Sequence, residues 1–272
     1  MEFKLKRVIL SIIGIITAAI FAFPFYIMII NSLKSRRGIF ENTLSFPDAF
    51  EFSNYIKAWN RLDFLRVLSN SLIITVGSII LIIIFSSMAA WMLERTKSKL
   101  STFIFFMFVS AMLVPFHAVM LPLIRIMGRL NLLNRWGLIF MYLGFQSSLS
   151  IFLYHGFVKG IPRALDEAAI IDGCNTFQTF WYVIFPLLKP ISITVAVLNG
   201  VFIWNDYLLP SLVINNSANH TIPLRIYFFF GEYTRQWELG MAGLTLAIIP
   251  AIAFYFFAQK HIIKGVIDGS VK

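Results

Sequence analysis

The sequence predicts an all-α, polytopic membrane protein with six transmembrane helices, and three observations carry that reading. Hydrophobic residues fill 58% of the 272 positions and charged residues only 13%. A soluble domain carries about 25% charged residues, so this chain lacks the polar surface that water would require. Its mean hydropathy is +0.79. The apolar residues also gather into six uninterrupted stretches, at about 8–30, 71–93, 103–123, 138–158, 191–213 and 240–258. At ~1.5 Å per residue, stretches of ~19 to 23 residues cover the hydrocarbon thickness of a bilayer. Lipid offers no partner to an exposed peptide group, so such stretches are helical.

The first stretch follows Lys4, Lys6 and Arg7 but is too long for a signal-peptide core and lacks a small-residue cleavage site. It reads as a retained anchor. Residues 34–70, with Pro47, Asp48 and Trp59, form a polar segment expected to make a small cap. The turn ERTKSKLST at 94–102 separates the second and third stretches, and residues 159–190 form a long, helically patterned connection between the fourth and fifth. No internal repeat, low-complexity tract or separate soluble domain interrupts residues 1–272, which are expected to form one transmembrane domain.

The formal charge of +10 is scattered between apolar runs rather than gathered on one face, so no nucleic-acid partner is expected. A single cysteine, Cys174, excludes an internal disulfide framework and a cysteine-based zinc site. His117 and His155 lack metal-ligand spacing to other donors and read as packing residues. No GxxxxGK[ST] occurs, so this chain does not bind ATP through a P-loop. With six spans both ends lie on one side. The basic residues divide almost evenly between the two sides and only lean toward cytoplasmic ends.

Residues 159–190 read KGIPRALDEAAIIDGCNTFQTFWYVIFPLLKP. Pro162 fits the first helical position, where a missing N–H is harmless. Arg163 to Asp172 form a helix that Gly173 ends as a left-handed residue. Asn175 and Gln178 have the spacing of a capping box for a second helix, which Pro186 and Pro190 interrupt. Leu165, Ala168, Ala169 and Asp172 share one side of the first helix, with Asp166 and Glu167 pointing elsewhere. Small residues admit close approach of another backbone and carboxylates suit a partner's basic groups. The hairpin therefore reads as a docking element, with a solvated loop helix as the plainer alternative.

The string EAAIIDG at 167–173, followed by Val183, Phe185 and Pro186, resembles the EAA loop of ABC-importer permeases. Glu167, Ala168, Ala169, Gly173 and Pro186 match that pattern; Val183 and Phe185 are conservative departures. The flanking IPRALDEAAIIDG and FPLLKP, WNDYLLP at 204–210 and the terminal QKHIIKGVIDGSVK are similar to the carbohydrate-uptake branch, typified by the smaller permease of the maltose transporter. The likeness runs from NYIKAW at 54 to the C-terminus. It implies a type I ABC importer permease fold and a single permease domain, with no catalytic residue. Asp166, Glu167, Ala168, Ala169, Asp172, Gly173 and Pro186 would form the coupling helix and its surroundings, docked on a cytoplasmic ABC ATPase dimer that binds ATP and Mg. The further implied partners are a second homologous permease subunit, an extracytoplasmic sugar-binding protein and membrane lipid. The loop and both termini would be cytoplasmic, in a bacterial or archaeal cytoplasmic membrane. The tail from Lys264 to Lys272 would make a second ATPase contact, although Ile267 and Asp268 depart from the usual small-residue ending.

Polar groups inside a bilayer default to functional hypotheses. The fourth stretch carries Gln146, Ser147, Ser148 and Ser150, and the fifth carries Asn199, Asn205 and Asp206. Gly144, Ser147, Ser150 and Tyr154 fall on one helical face. Sugars bind through amides, hydroxyls and aromatic stacking, which makes Tyr142, Gln146, Ser147, Asn199, Asn205 and Asp206 candidates for a translocation path, with Trp204 and Tyr207 nearby. The competing role is adhesion between helices. Two further readings remain at this point: a permease of the same architecture for a non-sugar solute, and a proton-coupled secondary transporter using Asp206.

Overall fold

The computed structural model describes residues 2–231 and 235–270, of which 2–5, 255, 257, 258 and 260–270 only as backbone. Among these residues the chain is 81% helical and has no strand. In order the helices are α1 (Glu2–Ser32), α2 (Arg36–Glu41), α3 (Ser53–Leu62), α4 (Phe64–Thr96), α5 (Lys99–Ala111), α6 (Phe116–Arg129), α7 (Arg135–Val158), α8 (Ala164–Ile171), α9 (Thr176–Gln178), α10 (Phe185–Leu187), α11 (Lys189–Asn205), α12 (Leu208–Val213), α13 (Ile222–Tyr227) and α14 (Trp237–Ser270). Four are long and apolar enough to cross a membrane: Lys6–Ser32, Phe64–Thr96, Arg135–Val158 and Trp237–Phe254. Two bent pairs bring the number to six if each is one span.

The first of those bends and a helix break at Asp206 correct two expected boundaries. The stretch 103–123 is not one helix, because α5 and α6 meet at 105°. Pro115 has extended backbone (φ −68°, ψ 138°) and offers no N–H, so the α5 ladder closes in short turns at Met112, Leu113 and Val114 and α6 starts afresh. The stretch 191–213 likewise ends as a helix at Asn205, where Asp206 turns extended before α12. The expected cap at 34–70 is smaller than its length suggests, because α4 already begins at Phe64.

Contacts divide the chain into two compact units, Met1–Leu65 with Leu224–Ala253, and Arg66–Pro223 with Phe254–Lys272. In the first, the buried amide of Asn54 donates to the carbonyls of Ser32 (3.0 Å) and Lys34 (2.8 Å), satisfying acceptors that the end of α1 leaves open. Lys34 is buried and donates to Asn42 O at 2.8 Å; burial lowers its pKa from the usual lysine value, against an opposing pull from Asp48. The apolar side chains of α1 from Val8 to Phe25 stay outside this unit's core, Phe21 at 72% exposure, which suits a helix facing lipid or another membrane chain, whereas Ile30 near its end is buried.

The second unit holds the larger core. In it α7 packs against both α5 and α11, and Tyr142, Tyr154, Phe180, Leu138, Ile151 and Ile184 are fully enclosed. The turn into α7 is tight at Gly137, where a Cβ would lie 1.8 Å from the Leu132 carbonyl oxygen, so only glycine fits.

Candidate functional site

The segment after α7 forms the expected helix–turn–helix hairpin. α8 starts two residues beyond the expected position, with Pro162 and Arg163 preceding it and their carbonyls accepting from Leu165 N (3.2 Å) and Asp166 N (2.9 Å). It ends in a Schellman arrangement: Gly173 N donates to Ile170 O at 3.0 Å and Cys174 N to Ala169 O at 2.9 Å. Gly173 has φ +85°, the left-handed conformation anticipated for it. The capping box is also present, as Gln178 N donates to Asn175 Oδ1 and Asn175 N to Gln178 Oε1, both at 2.9 Å. The second helix then loosens into a π-helical turn over Thr179–Ile184 before α10, a feature the sequence did not signal. Between Pro186 and Pro190 the chain bends by 76° into α11.

The hairpin turns apolar side chains outward. Ile170, Ile171, Phe177 and Tyr182 are 63%, 85%, 62% and 74% exposed. Glu167, Ala168, Asp172, Gly173 and Pro186 are exposed too, whereas Ala169 is buried. The two alanines of the motif therefore separate, one toward the chain and one away from it. The Glu167 carboxylate has no hydrogen-bond or ion-pair partner among the described residues.

Asp166 behaves differently from the outward carboxylate anticipated above. Trp91 Nε1 donates to its Oδ1 at 2.8 Å, and Arg95 Nη2 stands 2.9 Å from its Oδ2. Both side chains are nearly enclosed, 14% exposed for Arg95 and 13% for Asp166. The second approach is a charge contact, with no Arg95 N–H aligned on Oδ2. Arg95 Nη2 also donates to Ile161 O at 3.1 Å, and Arg163 Nη2 donates to the carbonyls of Glu94 (3.1 Å) and Arg95 (3.2 Å). The Trp91 and Phe180 rings lie 5.4 Å apart. One turn of α4 thus grips the buried side of the hairpin. The same turn reaches α7, where His155 Nε2 meets Glu94 Oε2 at 3.2 Å and stacks on Phe105 at 3.9 Å. His155 is a packing residue as expected, with a carboxylate partner that spacing did not reveal.

The intramembrane polar candidates mostly bind one another. Tyr142 OH donates to Asp206 Oδ2 at 2.8 Å, while Asp206 Oδ1 accepts from Leu208 N (2.9 Å) and Leu209 N (3.4 Å), capping α12. Asn199 is 2% exposed and donates to Ser150 Oγ at 3.2 Å and Val195 O at 2.8 Å; its Oδ1 is buried without a partner. Tyr154 OH donates to Ser192 Oγ at 2.8 Å. Ser150 and Tyr154 therefore face α11, so the face they share with Gly144 and Ser147 is not one open lining. Ser147 Oγ donates to Leu143 O within its own helix, and Asn205 Nδ2 to Val201 O at 2.8 Å. The Gln146 amide, half-buried, has no side-chain partner among the described residues. The tail from Lys264 to Lys272 lies outside the described residues except for its helical backbone to Ser270. Among those residues no three His, Cys, Asp or Glu side chains converge as metal ligands.

The family described as Binding-protein-dependent transport system inner membrane component matches residues 82–268. The chain is 51% identical over 267 residues to the protein named "Probable starch degradation products transport system permease protein AmyC" of Thermoanaerobacterium thermosulfurigenes, covering 98% of this chain and 97% of that one. It is 35% identical to the melibiose/raffinose/stachyose import permease protein MelC of Bacillus subtilis, over 99% and 98% of the two chains. In shape it is similar to a chain in the crystal structure of a bacterial ABC transporter involved in alginate import, with a TM-score of 0.79 over 96% of this chain and 97% of that chain at 23% identity.

Proposed function

The chain belongs to the family of binding-protein-dependent transport system inner membrane components, and from that premise we propose that it carries a sugar or oligosaccharide across the membrane. As a family member it is a membrane-embedded permease subunit of an ABC importer and not an enzyme. The proposal concerns its cargo, its partners and its orientation. A substrate-binding protein delivers the sugar, a second homologous permease completes the pathway, and a cytoplasmic ATPase dimer binds ATP and Mg. The α8–α10 hairpin and both termini face the cytoplasm. Closure of the ATPase dimer moves the hairpin and with it the spans, opening the pathway to the outside; hydrolysis resets them.

One observation carries the docking part of this reading: a helical hairpin that exposes Ile170, Ile171, Phe177 and Tyr182 beside an unpaired Glu167. Exposed apolar groups beside a charge, on a connection between spans, fit a protein partner better than water or lipid. Support for a sugar cargo comes from the named cargoes of the two relatives. Asp206 gives the proton-coupled alternative little room, since both of its oxygens already serve Tyr142 and α12.

The test is purification of the chain from native membranes in a mild detergent, with mass spectrometry of what accompanies it. An ATPase and a second multi-span permease are expected, and the binding protein of the same system is then titrated with oligosaccharides. A chain that comes alone would overturn the docking assignment, and a binding protein that ignores every sugar would overturn the cargo.

A further inference from the structure

Three residues in a single turn of α4, Trp91, Glu94 and Arg95, hold two parts of the second unit, α8 and the end of α7. Trp91 and Arg95 close on Asp166 of α8, and Arg95 also holds the carbonyl of Ile161 just before that helix. Arg163 returns the grip from the hairpin side by donating to the main chain at Glu94 and Arg95. Glu94 reaches His155 at the end of α7. Among the described residues α8 also packs on the turn Thr179–Ile184 that follows it.

A nearly enclosed ion pair is a stiff connection, because opening it leaves a buried charge uncompensated. A displacement imposed on the outer face of α8 therefore reaches α4 before it can be absorbed by the turn at Gly173. We propose that Arg95 and Asp166, with Trp91, form the joint that makes α8 and the end of α4 move as one body, so that α4 is the lever driven by the docked hairpin. Both are positioning residues: they touch neither cargo nor nucleotide. The inference rests on the docking role of the hairpin, but it assigns Asp166 to the chain's own interior and adds an arginine outside the motif.

The assembled importer in lipid nanodiscs tests it. Arg95→Gln removes the charge at a position outside the docking surface. The joint predicts that the ATPase still copurifies and hydrolyses ATP, while uptake per ATP falls by about ten-fold, a change of ~1.4 kcal/mol in coupling. Asp166→Glu keeps the charge and restores most of the uptake, whereas Asp166→Asn behaves like Arg95→Gln. A second readout follows the motion itself. Spin labels at Lys97 and at Ala164, an exposed α8 position outside the docking set, keep one sharp distance with and without ATP in the otherwise native chain, and that distance broadens in Arg95→Gln. Normal coupling in Arg95→Gln, or a label distance that changes with nucleotide in the native background, would overturn the joint. Loss of ATPase attachment in the native chain would instead overturn the docking role, so the two failures are distinguishable.

Discussion

The contact between α7 and α11 and the hairpin after α7 use polar and apolar groups in opposite senses. In the first, Tyr142, Tyr154, Ser150, Ser192, Asn199 and Asp206 are turned toward one another and toward the backbone. In the second, Ile171 and Tyr182 stand in the open while one carboxylate, Asp166, is drawn inside. A polar residue in a span is thus weak evidence of a binding site once its partner is visible. An exposed isoleucine on a connection between spans is stronger evidence, because nothing among the described residues accounts for it.

The comparison breaks most completely at Gly137, which supports the start of α7. Gly137→Ala places a methyl against the Leu132 carbonyl, and the expected loss is ~3 kcal/mol or more, the upper end for overpacking. Thermal unfolding in detergent should show a chain that no longer folds; a melting point near the native one would mean that the turn yields. At the hairpin, Glu167→Lys should leave insertion and melting unchanged while uptake falls to background and the ATPase no longer copurifies. Retained attachment would remove Glu167 from the docking surface.

Smaller effects sharpen the contrast. Asp206→Ala strands the Tyr142 hydroxyl and uncaps α12, so a loss of ~2 kcal/mol is expected in stability. Residual uptake in that variant should be insensitive to a protonophore. Gly173→Val meets open space but must hold a β-branched residue at φ +85°, at ~1–2 kcal/mol, felt in coupling more than in melting. Ile171→Ser should change melting by less than ~0.5 kcal/mol, as surface substitutions do, while weakening ATPase association. An equal effect of Ile171→Ser on both measurements would mean that the side chain packs within this chain after all.

Much of the hairpin was readable in one dimension because its signals are local. Gly173 and the Asn175–Gln178 pair act within a few residues of themselves, and both have the conformations their spacing implied. The partners of polar groups were not readable. Trp91 and Asp166 lie 75 residues apart, and Tyr142 and Asp206 lie 64 apart. Helical periodicity assigned Asp166 to a face but could not say what stood opposite that face. The same limit made Gly144, Ser147, Ser150 and Tyr154 look like one lining when two of them are committed to α11.

By itself the sequence determined that the chain is helical and membrane-embedded, where its apolar stretches lie, and which connection carries the helical hairpin. Those properties follow from composition, from the length of apolar runs, and from residues whose backbone preferences act over one turn. Only the tertiary structure decided that the third stretch bends at Pro115, that Asp206 is a cap, and that Asp166 is held by side chains of α4. A bend depends on which side of a break finds packing, and a carboxylate's role depends on which cation the fold brings within 3 Å. Neither quantity is set until distant segments meet.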